Sequence, residues 1–272
     1  MKRATRAAFD AAASAAGPVY TLGALIHNPQ VVARLEAEGV RVAGDAADVD
    51  DGVVIIRSHG LPPASIAALE ARGARVLDLT CPTVKAVQQR AAALAAEGYT
   101  VVIIGDRNHP EVQAIAGYAG PAALIVNSEA EAAAVAPAAK LGVVMQTTHA
   151  AARCHVVVAA LLEKAPEVRV FNTLCDATTK RQEGATALAR QVEVMVVVGG
   201  RNSANTGRLA ELCRDAGART YHVETAVELE PGWFAGVRAV GVTAGTSTPD
   251  WIIEEVVSRL EAWGSGAPPA RK

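Results

Sequence analysis

Apolar runs that end in small polar residues recur along the chain. GVVIIRSHGLPP (52–63), GVVMQTTHA (142–150) and AVGVTAGTSTPD (239–250) share this form, and a helical pattern follows each, over 63–72, 150–164 and 249–262. Runs such as VVII, with no polar alternation, fit strands buried on both faces. Helices between such strands indicate parallel sheets built from βαβ units. KRATRAAFDAAASAAG near the start reads as a first helix, leading into the strand-like PVYTLG.

A longer repeat makes up the rest of each unit. ARVLDLTC-PTVKAVQQRAAALAAEG-YTVVIIGDRNHPEV (74–112) and VRVFNTLC-DATTKRQEGATALARQ-VEVMVVVGGRNSANT (168–206) each read as a strand ending in Cys, a helix, and a strand ending in Gly. Cys81 to Gly105 and Cys175 to Gly199 are both 24 residues apart, and four residues past each glycine stands a polar residue, His109 or Ser203. The N-terminus matches a third copy with its beginning missing. There Gly23 takes the place of the glycine and His27 lies four residues on, so the repeat predicts a cysteine just upstream of Met1. We read an α/β protein of three similar units, 1–80, 81–174 and 175–263, with parallel sheets around a pseudo-threefold axis and a central cavity. The tail, 264–272, reads as disordered.

In parallel α/β units the loops at the carboxyl ends of the strands form the binding crevice. His27, Ser58-His59, Cys81, His109-Pro110-Glu111, Gln146-Thr147-Thr148, Cys175, Ser203 with Asn205, and Thr246-Ser247-Thr248 all fall there. A helix follows each, and helix N-termini favour anions such as phosphate. Capping offers another use for some of these residues: Ser247 and Thr248 as caps, Glu111 as a first-turn acid facing the macrodipole.

Composition narrows the chemistry. The chain has 272 residues, 51% hydrophobic, with a net charge of −2, which excludes global disorder and gives no basic excess for nucleic acid. No apolar stretch is long enough for a membrane span and no export signal is read, so a cytoplasmic location is expected. Four cysteines are too few for a disulfide scaffold, and none forms the close pair usual in structural zinc sites. Cys154 and Cys213 lie in helical patterns and read as core thiols. Cysteines at one position of a threefold repeat suit an iron–sulfur cluster with one iron left open. His155 and His222 lie outside the repeated loops and read as structural or surface residues. Gly199-Gly200 completes no dinucleotide fingerprint, so no NAD is inferred.

IHNPQVV (26–32), RSHG (57–60), DLTCP (78–82), NHPEV (108–112), QTT (146–148), NTLCDATTKRQ (172–182), VGGRNSANTGRL (198–209) and GVTAGTSTPD (241–250) together carry a resemblance. On them the chain resembles the LytB family of 4-hydroxy-3-methylbut-2-enyl diphosphate reductases. The resemblance implies a three-unit α/β fold around a 4Fe–4S cluster held by three cysteines, two of them Cys81 and Cys175. It implies diphosphate binding by His27, His59, His109, Ser203, Asn205 and Ser247, proton delivery by Glu111, and Thr147 beside the substrate hydroxyl. It also implies reductive dehydroxylation to isopentenyl and dimethylallyl diphosphate, with ferredoxin or flavodoxin as electron donor. The chain departs from the family pattern in four places. Met1 stands at the hydrophobic position that closes the family's Gly-x-Cys-x-Gly opening. Ala204 replaces a serine, His149-Ala150 replaces Leu-Ser, and Asp176 follows the third-unit cysteine. Two alternatives stay open at this point: a cluster-free diphosphate-binding paralogue, and a reductase of another allylic diphosphate.

Overall fold

The computed structural model describes residues 2–15 and 17–264, residues 2–4 by backbone alone. The expected disordered tail lies outside the described residues except for Gly264, which ends the last helix.

The first sheet is built from α1 (Lys2–Ser14), β1 (Val19–Leu22), α2 (Pro29–Ala37), β2 (Val40–Ala43), β3 (Val53–Ile56), α3 (Pro63–Ala71) and β4 (Arg75–Asp78). Its order is β2-β1-β3-β4, all parallel, with Val19 opposite both Val40 and Val53. The VVII run of β3 is buried at every position, as its lack of alternation predicts. Proline opens α3 at a position where its missing N–H costs nothing.

The second sheet follows with α4 (Pro82–Ala96), β5 (Thr100–Ile104), α5 (Pro110–Ala119), β6 (Leu124–Val126), α6 (Glu129–Ala133), β7 (Lys140–Met145), α7 (Ala151–Leu161) and β8 (Glu167–Val170). Its order, β6-β5-β7-β8, repeats that of the first sheet, and again every pairing is parallel. Val102, Ile104, Leu141 and Val143 pack with Cys154, Val157 and Leu161 of α7. Each fully buried aliphatic side chain contributes about 1.5–3 kcal/mol.

The third sheet comes from α8 (Asp176–Ala189), β9 (Val194–Val198), α9 (Ala204–Asp215), β10 (Arg219–Val223), β11 (Val240–Ala244) and α10 (Asp250–Gly264). It has three parallel strands, β10-β9-β11. β3 and β7 are each flanked by two strands; β11, their counterpart, pairs only with β9 among the described residues. Its outer side faces a cavity of about 800 Å³ lined by Val240, Val242, Val257 and Leu260.

By compactness the chain divides into two units: 3–25 with 35–175, which holds the first two sheets, and 26–34 with 176–264, which holds the third. One expectation needs correction. The regular strands do not run to the cysteines: β4 ends at Asp78 and β8 at Val170. Cys81 instead begins α4 as its cap residue.

Candidate active site

The repeat seen in the sequence returns as hydrogen bonds. Gly23, Gly105 and Gly199 each donate an N–H to the carbonyl closing the neighbouring strand: Ala43 (2.8 Å), Val126 (3.0 Å) and Val223 (2.9 Å). After each middle strand comes a four-residue turn closed by one bond. Gly60 N–H donates to Arg57 O (2.9 Å), His149 to Gln146 (3.0 Å) and Thr248 to Gly245 (3.0 Å). This register makes His59, Thr148 and Ser247 structural equivalents, and likewise Ser58, Thr147 and Thr246.

The unit 3–25 with 35–175 holds Cys81, Cys175, His59, His109, Glu111 and Thr147. The Cys81 N–H donates to Ser58 O (3.0 Å) and the Cys175 N–H to Thr147 O (2.8 Å). Both thiols are partly exposed and free of disulfides, whereas Cys154 and Cys213 are fully buried in the core. Burial pushes the Cys154 thiol up to about 11 and the Cys213 thiol upward as well, so these two stay inert.

His109 caps α5. Its Nδ1 accepts the Glu111 N–H (3.2 Å), which puts the proton of the neutral ring on Nε2. The His59 ring stands edge-on to it, centroids 5.2 Å apart. Glu111 points inward from the first turn of α5 and is 2% exposed. Its carboxylate accepts the Thr147 N–H (2.6 Å) and the Thr147 hydroxyl (2.9 Å). Desolvation raises the Glu111 pKa above the usual carboxylate range, against the pull of these two bonds. A helix-start acid serving only the macrodipole would sit at the surface.

The unit 26–34 with 176–264 holds His27, Ser203, Asn205 and Ser247. The backbone of His27 lies against Gly200, where a Cβ would stand 2.5 Å from the His27 carbonyl oxygen, so only glycine fits. Ser203 caps α9 by accepting the Thr206 N–H (3.3 Å). Asn205 is buried with both amide atoms unpartnered, and the Thr206 hydroxyl is buried and unpartnered too. Ser247 is buried. The Thr248 hydroxyl donates to Val198 O (2.9 Å).

Outside the repeated loops, His155 is exposed and His222 Nε2 donates to Gly199 O (2.8 Å), both consistent with supporting roles. Among the residues with orphaned buried polar atoms that sequence reading passed over are Gln88 and Thr206. Only contacts across the fold reveal them. Among the described residues no helix is long and apolar enough to cross a membrane.

Comparison with known proteins gives a consistent result. The family model described as LytB protein matches residues 1–261. A 4-hydroxy-3-methylbut-2-enyl diphosphate reductase of Geobacter sulfurreducens is 51% identical over 261 residues, 96% of this chain and 92% of the relative. One of Geotalea uraniireducens is 50% identical with the same coverage. A solved structure of (E)-4-hydroxy-3-methyl-but-2-enyl diphosphate reductase, described as the terminal enzyme of the non-mevalonate pathway, matches with a TM-score of 0.76 at 44% identity, covering 96% of this chain and 94% of that one. The E-1-hydroxy-2-methyl-but-2-enyl-4-diphosphate reductase of Plasmodium falciparum matches with a TM-score of 0.87 at 26% identity, covering 94% and 82%.

Proposed function

The chain belongs to the LytB family, and on that premise we propose that it reduces 4-hydroxy-3-methylbut-2-enyl diphosphate to isopentenyl and dimethylallyl diphosphate. It is an oxidoreductase of isoprenoid synthesis. The overall change takes two electrons and two protons. The allylic C–O bond breaks, the oxygen leaves as water with one proton, and the other proton goes to carbon.

The observation that carries the mechanism is the buried pair of Glu111 and Thr147. A carboxyl whose pKa is raised by burial retains a proton at a pH where surface carboxylates have lost theirs. Protonated, Glu111 donates to Thr147 Oγ1, and the Thr147 hydroxyl then donates outward, to the substrate's oxygen. This positions a proton at the leaving group, work typically worth about 10²–10⁴-fold in rate. His27, His59, His109, Ser203, Asn205 and Ser247 bind the diphosphate. The Nε2–H of His109 and the unpartnered amide of Asn205 have the polarity that role requires.

Cys81 and Cys175 fit an iron–sulfur cluster: both are free, partly exposed and anchored by matching N–H bonds. We assign them as ligands of a 4Fe–4S cluster, which when bound supplies electrons singly and a Lewis-acidic iron. Ferredoxin or flavodoxin is the proposed electron donor. The test is turnover under anaerobic conditions, after reconstitution with iron and sulfide and with a one-electron reductant. Both product diphosphates should form. Diphosphate binding without product would leave a non-catalytic binding protein instead.

A further inference from the structure

The turn 57–60 carries more hydrogen-bond donors than it has acceptors. Arg57 Nε, Ser58 Oγ and Gln88 Nε2 are buried and have no partner. Ser58 is 4% exposed and Gln88 2%. The three belong to one place. Arg57 and Ser58 are the first two residues of the turn, and the Gln88 amide, reaching from α4, occupies the space a Cβ on Gly60 would need. The Arg57 guanidinium lies over Gly23, its Nη1 2.7 Å from where a Cβ there would stand.

The first two backbone acceptors of this turn are already engaged. Arg57 O receives the Gly60 N–H and Ser58 O the Cys81 N–H. Among the described residues no carboxylate pairs with Arg57, although burial disfavours its charge and lowers its pKa. Arg107 and Arg201, at the ends of β5 and β9, do have acceptors: Ile125 O (2.8 Å) for Arg107 and the Glu228 carboxylate for Arg201. In the equivalent turn 146–149 the first two side chains, at the positions of Arg57 and Ser58, do have partners, while His149 Nε2 is orphaned. Gln146 Oε1 accepts the Asp106 N–H (3.0 Å), and Thr147 is matched to Glu111. A half-buried cation beside two buried donors is costly unless an anion arrives to accept from them.

We propose that Arg57, Ser58 and Gln88 form an oxyanion subsite that binds the substrate's diphosphate beside His59, with Gly23 and Gly60 kept free of side chains to make room for it. This rests on the reading of the chain as a diphosphate reductase. A guanidinium here gives a fixed, pH-independent charge, which histidines alone do not.

The test is calorimetric titration with inorganic diphosphate, alongside KM and kcat for the reconstituted enzyme. Arg57→Met should weaken diphosphate binding by about 10- to 100-fold and flatten its salt dependence. Gln88→Met should weaken it by about 2- to 10-fold. Arg57→Lys, which keeps the charge without the fork, should fall between parent and Arg57→Met. KM should rise in step while kcat holds. The subsite is wrong if Arg57→Met and Gln88→Met, folded by their melting curves, bind diphosphate as the parent does. A parent that binds no diphosphate and makes no product would overturn the functional reading itself, a different result.

Discussion

The turn after β3 and the turn after β7 close with the same hydrogen bond, and each takes an N–H from a cysteine onto its second carbonyl. Their side chains diverge. In 57–60 the sequence is Arg-Ser-His-Gly, with no carboxylate and with orphaned buried N–H and O–H groups. In 146–149 it is Gln-Thr-Thr-His, and the buried Glu111 supplies an acceptor for both Thr147 donors. On the proposed reading one backbone frame serves two tasks: the turn with orphaned donors takes an anion, and the turn matched by a carboxylate delivers a proton. The difference lies in residues that the strand and helix pattern leaves unconstrained.

The most drastic way to probe this comparison is to remove the part common to both turns. Cys81→Ala and Cys175→Ala should each strip most of the iron from reconstituted protein and abolish turnover. Cys154→Ala and Cys213→Ala, which alter only core packing, should keep it. Iron analysis decides, and iron loss from either core variant would overturn the ligand assignment. Next comes the proton-storing turn alone. Glu111→Gln should keep its iron and lose about 10²–10⁴-fold in kcat. In the parent, turnover should decline as pH rises through the elevated pKa of Glu111, since the acid is then spent; in the variant that limb should vanish from the pH–rate profile.

The anion-binding turn should respond differently. His59→Ala removes one charge-assisted hydrogen bond, about 10- to 150-fold in affinity, and the loss should appear in KM and in inorganic diphosphate binding rather than in kcat. Equal affinity in variant and parent would make His59 a structural residue. Gly60→Ala is a milder perturbation of the same turn. Gly60 has φ of +76° and its face is filled by Gln88, so alanine should cost about 1–3 kcal/mol of stability, readable in denaturant melts.

The smallest effect is at His149, which stands where the first turn has Gly60. Burial, then the charge of Arg153, lowers its pKa. A lowered histidine stabilises the fold above its ordinary pKa and loses that contribution as pH falls through the lowered one. His149→Leu and parent should therefore differ in melting temperature by one constant amount near neutral pH and above. The variant should gain on the parent only in acid.

Much of this was legible in the sequence because spacing survives folding. The cysteine-to-glycine interval, the three buried apolar runs and the helices after them reappear as three parallel sheets. The helix expected over 63–72 is α3 at Pro63–Ala71. Family motifs supplied Glu111 and Thr147, which lie 36 residues apart and meet only because α5 and the loop after β7 share one end of the second sheet. Neither periodicity nor spacing could have paired them. Arg57 over Gly23 and Gln88 against Gly60 were illegible for the same reason: each is a long side chain filling a space that a glycine leaves on another element. The strand ends were misread because apolar character continues past β4 into Leu79 and the hydrogen bonds to the neighbouring segment run on to Cys81, although the regular strand has already ended at Asp78.

The two cysteine amides also bear on how the molecule accommodates a change of charge. Each thiol-bearing residue is pinned by its own N–H to the carbonyl of a turn, Ser58 or Thr147, and each turn is in turn closed on itself. Sulfur, amide and turn form a short rigid chain of dipoles. Were an electron to arrive near such a frame, few atoms would have far to travel, and the reorganisation energy would be small. The same rigidity has a slow-timescale signature: the amide protons of Cys81 and Cys175, though near the protein surface, should exchange with solvent as slowly as those of the sheet core.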